Sequence, residues 1–390
     1  MSAASALGGA AIVDAAIAEA CAALPAHSHR VLIGYSGGLD SSVLLHALQR
    51  QARFELRALH VHHGLHAAAD DWAEHCRQCC ADLRVPLAIE HVAVIERGLG
   101  PEAAARHARQ HAYATHLADA DVLALAHHRD DQAETFMLRA LRAAGPDGLA
   151  AMRMLRPFAT GLMWRPLLRV PQAALRDYAL AHGLRWVEDP SNRDSAFDRN
   201  YLRQQVMPLL RARWPEADAA LAHAAQLAAD AHGLLSVEDD RALTAARHHD
   251  DPRTLNCTRL LRLPPERRAR VIRRWVQQLG LPPLPGNAIT HIQRDLLHAR
   301  ADAEASYRWG AQASARIERW AEQLHAAPRR ATLAADWSTT WDGRTPLPLP
   351  DGSVLSLSGA SGFIKPLHVR PRLGGERLHQ QERRPRVDRP

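Results

Sequence analysis

Along residues 26–205 short apolar runs alternate with stretches of helical spacing. "VLIGY" (31–35), "LRALHV" (56–61), "LAIEHVAV" (87–94) and "DVLALAH" (121–127) are bounded by polar or turn-forming residues and read as buried strands. Between them, "SSVLLHALQRQ", "DDWAEHCRQCCADL" and "EAAARHARQHAYATHLAD" repeat apolar residues at helical intervals. Strands alternating with helices predict βαβ units, hence an α/β fold with a doubly wound parallel sheet. Such sheets take ligands in the crevice beyond the carboxyl ends of their strands. Residues 1–25, apolar but broken by Asp14 and Glu19 and lacking a basic start, predict an N-terminal helix rather than a signal peptide. From Val206 the strand runs stop. Residues 206–325 carry helical spacing interrupted by "LPPLPG" and predict a helical domain. Residues 326–390, with "SVLSLSG" among Gly, Pro and Trp, predict a small β-rich module ending in a frayed, arginine-rich tail.

A length of 390 residues fits two or three domains, and 47% hydrophobic content can fill their cores. No apolar run approaches the roughly 18 to 20 residues of a membrane span, so no membrane partner is expected. The net charge of +7 points to a polyanionic partner. Lys365 is the single lysine, so the basic charge is almost all arginine. Cys21, Cys76, Cys79, Cys80 and Cys257 are odd in number and partly clustered, which argues against a disulfide framework and for a reducing, cytoplasmic location.

The first strand runs into Ser36, Gly37, Gly38, Leu39, Asp40, Ser41 and Ser42. Successive backbone N–H groups in a glycine-rich turn at a helix N-terminus form an anion cradle, and the serine hydroxyls add donors for phosphate. A carboxylate repels phosphate, so Asp40 makes sense as a Mg²⁺ ligand or as a helix cap. No GxxxxGK[ST] is present, and the loop is not a Walker A sequence. A capped tight turn is the alternative.

Other candidates lie at later strand ends. "HVHHGLH" (60–66) offers metal ligands, bases or crevice-lining groups. His127, His128, Asp130 and Asp131 follow the fourth strand. Asp131 and Glu134 have capping-box spacing, yet four ligand-type residues exceed what a cap needs. One carboxylate there joins Asp40 on magnesium; zinc on these histidines is the alternative. Glu102 and Arg106, four apart, form either a surface ion pair or a crevice pair for a substrate amine and an anion. "EDPSNRDSAFDRNYLR" reads as a polar loop entering a helix.

Taken together, "SGGLDSS", "HVHHGLH", "EAAAR", "AHHRDDQAET" and "DPSNRDSAFDRNYLR", in this order over about residues 30–210, resemble the tRNA(Ile)-lysidine synthetase family of N-type ATP pyrophosphatases. His66 departs from the family's pattern, and "LGGERLHQQERRPRVDRP" is shorter than the family's usual C-terminal segment. The resemblance implies ATP and Mg²⁺, L-lysine and a tRNA(Ile) with a CAU anticodon as reaction partners, and a homodimer is carried as an open expectation. It implies ATP binding by Ser36 to Ser42, and Mg²⁺ and phosphate contacts by Asp40 with Asp130 or Asp131. Glu102, Asp131 or Glu134 would recognise the lysine or act as base. Arg106 and Arg203 would bind phosphate, with His127 and Asn200 as substrate-site supports, and residues 206–325 would bind tRNA. Two other readings stay open: a related tRNA-thiolating enzyme using the CxxC of Cys76 and Cys79, and a non-catalytic tRNA-binding relative.

Overall fold

A computed structural model describes residues 3–64, 66–94, 101–300, 305–329, 333–357 and 361–371. The expected arginine-rich tail lies outside the described residues. The chain forms two units, 1–238 and 239–390.

In the first unit the order is α1 (Ala3–Ala22), β1 (Arg30–Gly34), α2 (Leu39–Arg50), β2 (Glu55–His62), α3 (Ala69–Asp82), β3 (Leu87–His91), α4 (Pro101–His116), β4 (Val122–Ala124), α5 (Arg129–Ala140) and α6 (Pro146–Leu149). There follow β5 (Leu155–Phe158), β6 (Gly161–Trp164), α7 (Gln172–Ala181), α8 (Asp198–Tyr201), a π-helical turn (Leu202–Val206), α9 (Met207–Arg213) and α10 (Ala217–Ala246), which contains the cut between the units. The sheet runs β3-β2-β1-β4-β6-β5, parallel except for the β5–β6 hairpin. Val31 and Ile33 of β1 pack with Val13, Ile17, Val43, Leu44, Leu175 and Tyr178 from α1, α2 and α7. Leu32 points the other way, into a cluster with Leu59, Tyr113, Leu117, Leu123 and Met163. A strand buried on both faces cannot alternate apolar with polar residues, which is why β1 reads as an unbroken apolar run. The chain winds outward from β1 through β2 and β3, then returns to place β4 on the other side of β1. That reversal opens a crevice at the carboxyl ends of β1 and β4.

At the opposite end of β4, Asp121 is fully buried and meets Arg30 Nε at 2.8 Å and Arg57 NH2 at 2.6 Å. Asp121→Ala removes the buried acceptor of two partly exposed guanidiniums and of the Ala118 amide, and is expected to destabilise the first unit by about 1 to 2 kcal/mol, measured by urea unfolding.

The second unit contains β7 (Thr254–Asn256), α11 (Cys257–Leu261), α12 (Pro265–Gln278), α13 (Ala288–His291) with a π-helical turn (Ile292–Leu296), β8 (Ser306–Trp309), β9 (Ala315–Trp320) and β10 (Gln323–Pro328). Val271, Ile272, Trp275 and Val276 give α12 one apolar face, packed on an antiparallel β7-β10-β9-β8 sheet through Leu255, Ile317 and Leu324. The expectation of a helical domain over 206–325 therefore differs from the structure at β7 and over residues 306–325, which form an antiparallel sheet. Two β-pairs close the described chain: β11 (Thr339–Trp341) with β14 (Leu367–Val369), and β12 (Leu347–Pro348) with β13 (Val354–Leu355). Among the described residues no helix is long and apolar enough to cross a membrane.

Candidate active site

The chain leaves β1 through Ser36, Gly37 and Gly38 and enters α2. Gly37 has φ +78°, and a Cβ there would lie 2.9 Å from Cys76 Sγ and 3.3 Å from Val187 Cγ2, so conformation and space both require glycine. Gly38 is different. A Cβ would meet Ser36 Oγ at 3.5 Å and the Val187 carbonyl oxygen at 3.8 Å, which is ordinary contact. The protein's own packing does not demand glycine at 38, and the missing side chain bares the loop backbone to an approaching group. From inside, the loop is tied down by Ser41, whose hydroxyl donates to the Gly38 carbonyl at 3.0 Å and accepts from the Ser36 amide at 3.3 Å. Ser42 is buried with its Oγ 3.4 Å from the Tyr35 hydroxyl. Leu39 packs against the core. Of the three expected phosphate donors, Ser41 thus spends its proton on the Gly38 carbonyl, which leaves the Ser36 hydroxyl, 3.1 Å from Ser41 Oγ, as the donor of that contact.

Asp40, in the first turn of α2, faces the end of β4. His128 is 1% exposed, and its Nε2 lies 3.6 Å from Asp40 Oδ2 and 3.5 Å from Asp131 Oδ2. Its Nδ1 is 3.7 Å from Asp130 Oδ2. Burial opposes a charge on this ring, but Asp131, Asp130 and Asp40 outweigh it and push the pKa up to about 10. The three carboxylates thus favour the charged form of His128, although its buried Nδ1 makes no hydrogen bond. Asp131 is buried, which disfavours its charge, yet His128, Arg199, His127 and Arg203 hold its pKa at about 2. Its Oδ2 accepts the His128 amide at 3.1 Å, and its Oδ1 accepts from Arg199 at 2.9 Å and Arg203 at 3.0 Å.

Glu134, one turn along α5, is 1% exposed. Arg203 Nε donates to its Oε1 at 2.6 Å, and Arg199 Nε and Arg203 NH2 donate to its Oε2 at 2.9 Å and 2.8 Å. Both oxygens are committed to guanidiniums. Asp130 turns aside: its Oδ2 accepts the Gln172 amide at 3.0 Å and its Oδ1 is 3.4 Å from Arg211. Of the two aspartates left open for the cation, Asp131 is the one that shares the His128 Nε2 edge with Asp40.

His127 accepts from Arg165 Nε through its Nδ1 at 3.2 Å. Burial, helped by Arg165, Arg199 and Arg109 and opposed by Asp131, lowers its pKa to about 3, so the ring is neutral near pH 7. Asn200 does not reach the cluster; its Nδ2 donates to the Ser191 and Asp194 carbonyls at 3.0 Å and 2.9 Å and closes the "DPSN" loop. Arg106 is exposed on α4, where its charge acts after burial to lower the pKa of Arg156 and Arg165. Glu102 begins α4, but its side chain lies outside the described residues. Arg199 was not singled out from the sequence, although it precedes Arg203 by one helical turn and so shares its face.

The remaining strand-end histidines have local partners. His60 Nδ1 is 3.0 Å from the Tyr35 carbonyl oxygen and His62 Nε2 is 3.0 Å from Asp70. His66 stacks on Trp72 at 5.0 Å between centroids. Among the described residues, the three ligand-type side chains gathered closely enough to share one ion are His248, His249 and Asp250 of the second unit, not these. Cys76 lies against Gly37 and His60 rather than remote from the strand ends, but burial pushes its thiol well up, and that of Cys80 up to about 12. Protonated thiols are poor nucleophiles for sulfur transfer.

Similarity to known proteins agrees with this geometry. A PP-loop domain model matches residues 12–210, and a TilS substrate binding domain model matches residues 255–325. The tRNA(Ile)-lysidine synthase of Xanthomonas axonopodis pv. citri is 51% identical over 354 residues, covering 89% of this chain and 79% of that protein. Those of Xylella fastidiosa strain 9a5c and Escherichia coli O157:H7 are 47% and 40% identical, covering 89% and 90% of this chain and 80% and 85% of theirs. With the motifs of both domains in order and such identity along most of its length, the chain belongs to the tRNA(Ile)-lysidine synthase family.

Proposed function

We propose that this protein uses ATP to join L-lysine to C2 of the wobble cytidine in a tRNA(Ile) bearing a CAU anticodon. The observation that carries this reading is the convergence of Asp40 and Asp131 on one edge of His128, beside the bare backbone of Gly38.

The chemistry has two steps. Cytosine O2 attacks the α-phosphorus of ATP and pyrophosphate leaves; the ε-amine of lysine then attacks C2, AMP leaves and the amine loses a proton. Loop N–H groups at the start of α2 stabilise the charge of departing pyrophosphate. Asp40 Oδ1 is buried with no hydrogen-bond partner, and hard carboxylate oxygens suit Mg²⁺, so the residues present fit that ion. Asp40 and Asp131 would hold it, and it would neutralise phosphate charge. His128 supplies positive charge to the two carboxylates from the protein side. Arg199 and Arg203, fixed by Glu134, turn positive charge toward Asp131. Glu102 receives the lysine amine, whose free pKa is about 10.4, and positions it for attack, while Asp131 is committed to Arg199, Arg203 and the cation. Glu134, with both oxygens occupied, serves the arginines. Residues 255–325 of the second unit, which match the substrate binding domain model, supply further RNA contacts.

Incubation of the protein with a CAU-bearing tRNA(Ile), ATP, Mg²⁺ and labelled lysine tests the proposal. A nucleoside of lysidine mass that requires both lysine and ATP is expected. AMP formation without it would overturn the acceptor assignment. Gly37→Ala, which must accept both φ +78° and the Cys76 sulfur, is expected to weaken ATP binding by about tenfold or more, read by calorimetry.

A further inference from the structure

Arg165 is an arginine in an unusual position. It is 5% exposed and follows β6, the strand beside β4. Its Nε donates to His127 Nδ1 at 3.2 Å, its NH1 to the Arg153 carbonyl at 2.8 Å, and its NH2 lies 2.9 Å from Met163 Sδ. The charges that act on it are those of Arg156, Arg106 and Arg139, all of its own sign. Burial, then these arginines, lower its pKa to about 10, so it stays cationic at neutral pH. A buried guanidinium among like charges is costly, and an apolar side chain of similar size would relieve that cost. What the guanidinium supplies and an apolar side chain cannot is a set of donors in fixed directions.

The consequence falls on His127. A guanidinium has donors and no acceptor, so the ring nitrogen facing it must present a lone pair. With Nδ1 so fixed and the ring neutral, the proton resides on Nε2. Among the described residues that nitrogen meets no hydrogen-bond partner, and it is not one of the buried polar atoms shut away from solvent. The ring stands at the carboxyl end of β4, and Asp131 and Arg199 both act on it. A cation behind Nδ1 polarises the ring and makes the opposite N–H a better donor to an anion.

We infer that Arg165 is a positioning residue that locks His127 in the Nε2–H form, so that His127 donates a hydrogen bond to a phosphoryl oxygen of ATP. The tautomer follows from the Arg165 contact alone; the phosphoryl acceptor rests on the ATP-dependent reading. No proton is transferred. Arg165 orients and polarises, and His127 touches the nucleotide.

Nitrogen-15 NMR of the full-length protein labelled in histidine tests the first part, with the His127 signal assigned by its loss in His127→Ala. The wild type and Arg165→Lys are expected to show protonated Nε2 and bare Nδ1, and Arg165→Met a mixture of both tautomers. A protonated Nδ1 in the wild type overturns the inference outright, whatever the enzyme's activity. The second part is read as affinity for a non-hydrolysable ATP analogue with Mg²⁺. His127→Ala and Arg165→Met are each expected to weaken binding about tenfold, with Arg165→Lys recovering most of it. Because Arg165 acts through His127, adding Arg165→Met to His127→Ala should cost less than about twofold more. Losses that multiply would make Arg165 a structural pin for the Arg153 turn and overturn the positioning role. If Arg165→Met does not fold, the Lys variant and the wild-type tautomer decide the matter. Normal analogue binding without lysidine formation would count against the proposed reaction while leaving the Arg165–His127 unit standing.

Discussion

Asp40→Asn is expected to leave the fold intact and to lower ATP-dependent turnover by about a thousandfold, a loss of about 4 kcal/mol in transition-state stabilisation. The substitution is nearly isosteric and sits in the first turn of α2, on a side chain one-third exposed, so packing changes little. What it removes is charge. Asp40 Oδ1 has no protein partner, and Oδ2 faces the His128 imidazolium at 3.6 Å. An amide there can neither bind a divalent cation strongly nor balance His128. Turnover with saturating Mg²⁺ and a thermal melt separate the two effects. Near-normal turnover in a well-folded variant would mean that Asp40 only pairs with His128, and the proposed cation site would have to move.

The second large effect is on stability. Glu134→Gln is expected to cost the first unit about 3 to 5 kcal/mol, the range for breaking a buried, hydrogen-bonded ion pair. Glu134 accepts three guanidinium N–H bonds at 2.6 to 2.9 Å. The glutamine amide would direct a donor at one guanidinium and leave Arg199 and Arg203 to share Asp131. Urea unfolding of the full chain measures the loss, and lysidine formation should fall with it because residues 198–206 carry both arginines. If stability is unchanged while turnover alone drops, Glu134 touches the lysine or its proton, as the family resemblance had allowed, and the structural role assigned here fails.

The same pair of sites shows where a sequence is legible. The first four strands stand close to their predicted runs; for β1 and β4 the reason is that strands of a parallel sheet covered on both faces are continuously apolar, whereas β3 is an edge strand and only partly buried. Three hairpins were not anticipated, β5–β6, β8–β9 and β9–β10, and for the first and last the reason is specific. β5 turns into β6 through Ala159 at φ +48°, and β9 turns into β10 through Ala321 at φ +50°. Tight hairpins ordinarily advertise themselves with Asn or Gly at positive φ. Alanine there hides the turn, and the strands are held instead by long-range pairing such as that of β10 with β7.

Local spacing gave the phosphate loop, because Gly37 is required by its own dihedral angle and Asp40 stands in the first turn of α2 without capping it. It also gave the carboxylates after β4, since a cap needs one acid there and not three. It could not assign them. Asp130, Asp131 and Glu134 are chemically similar and within one helical turn, yet only packing sends Asp130 to the amide of Gln172, Glu134 to Arg199 and Arg203, and Asp131 to the shared edge of His128. Apart from His128, their partners come from segments 42 to 81 residues away, and no periodicity encodes that distance. The sequence alone determined which groups end up at the carboxyl ends of β1 and β4. The tertiary structure decided which of them are free for a ligand, because a buried charge must take whatever counter-charge the fold brings to it.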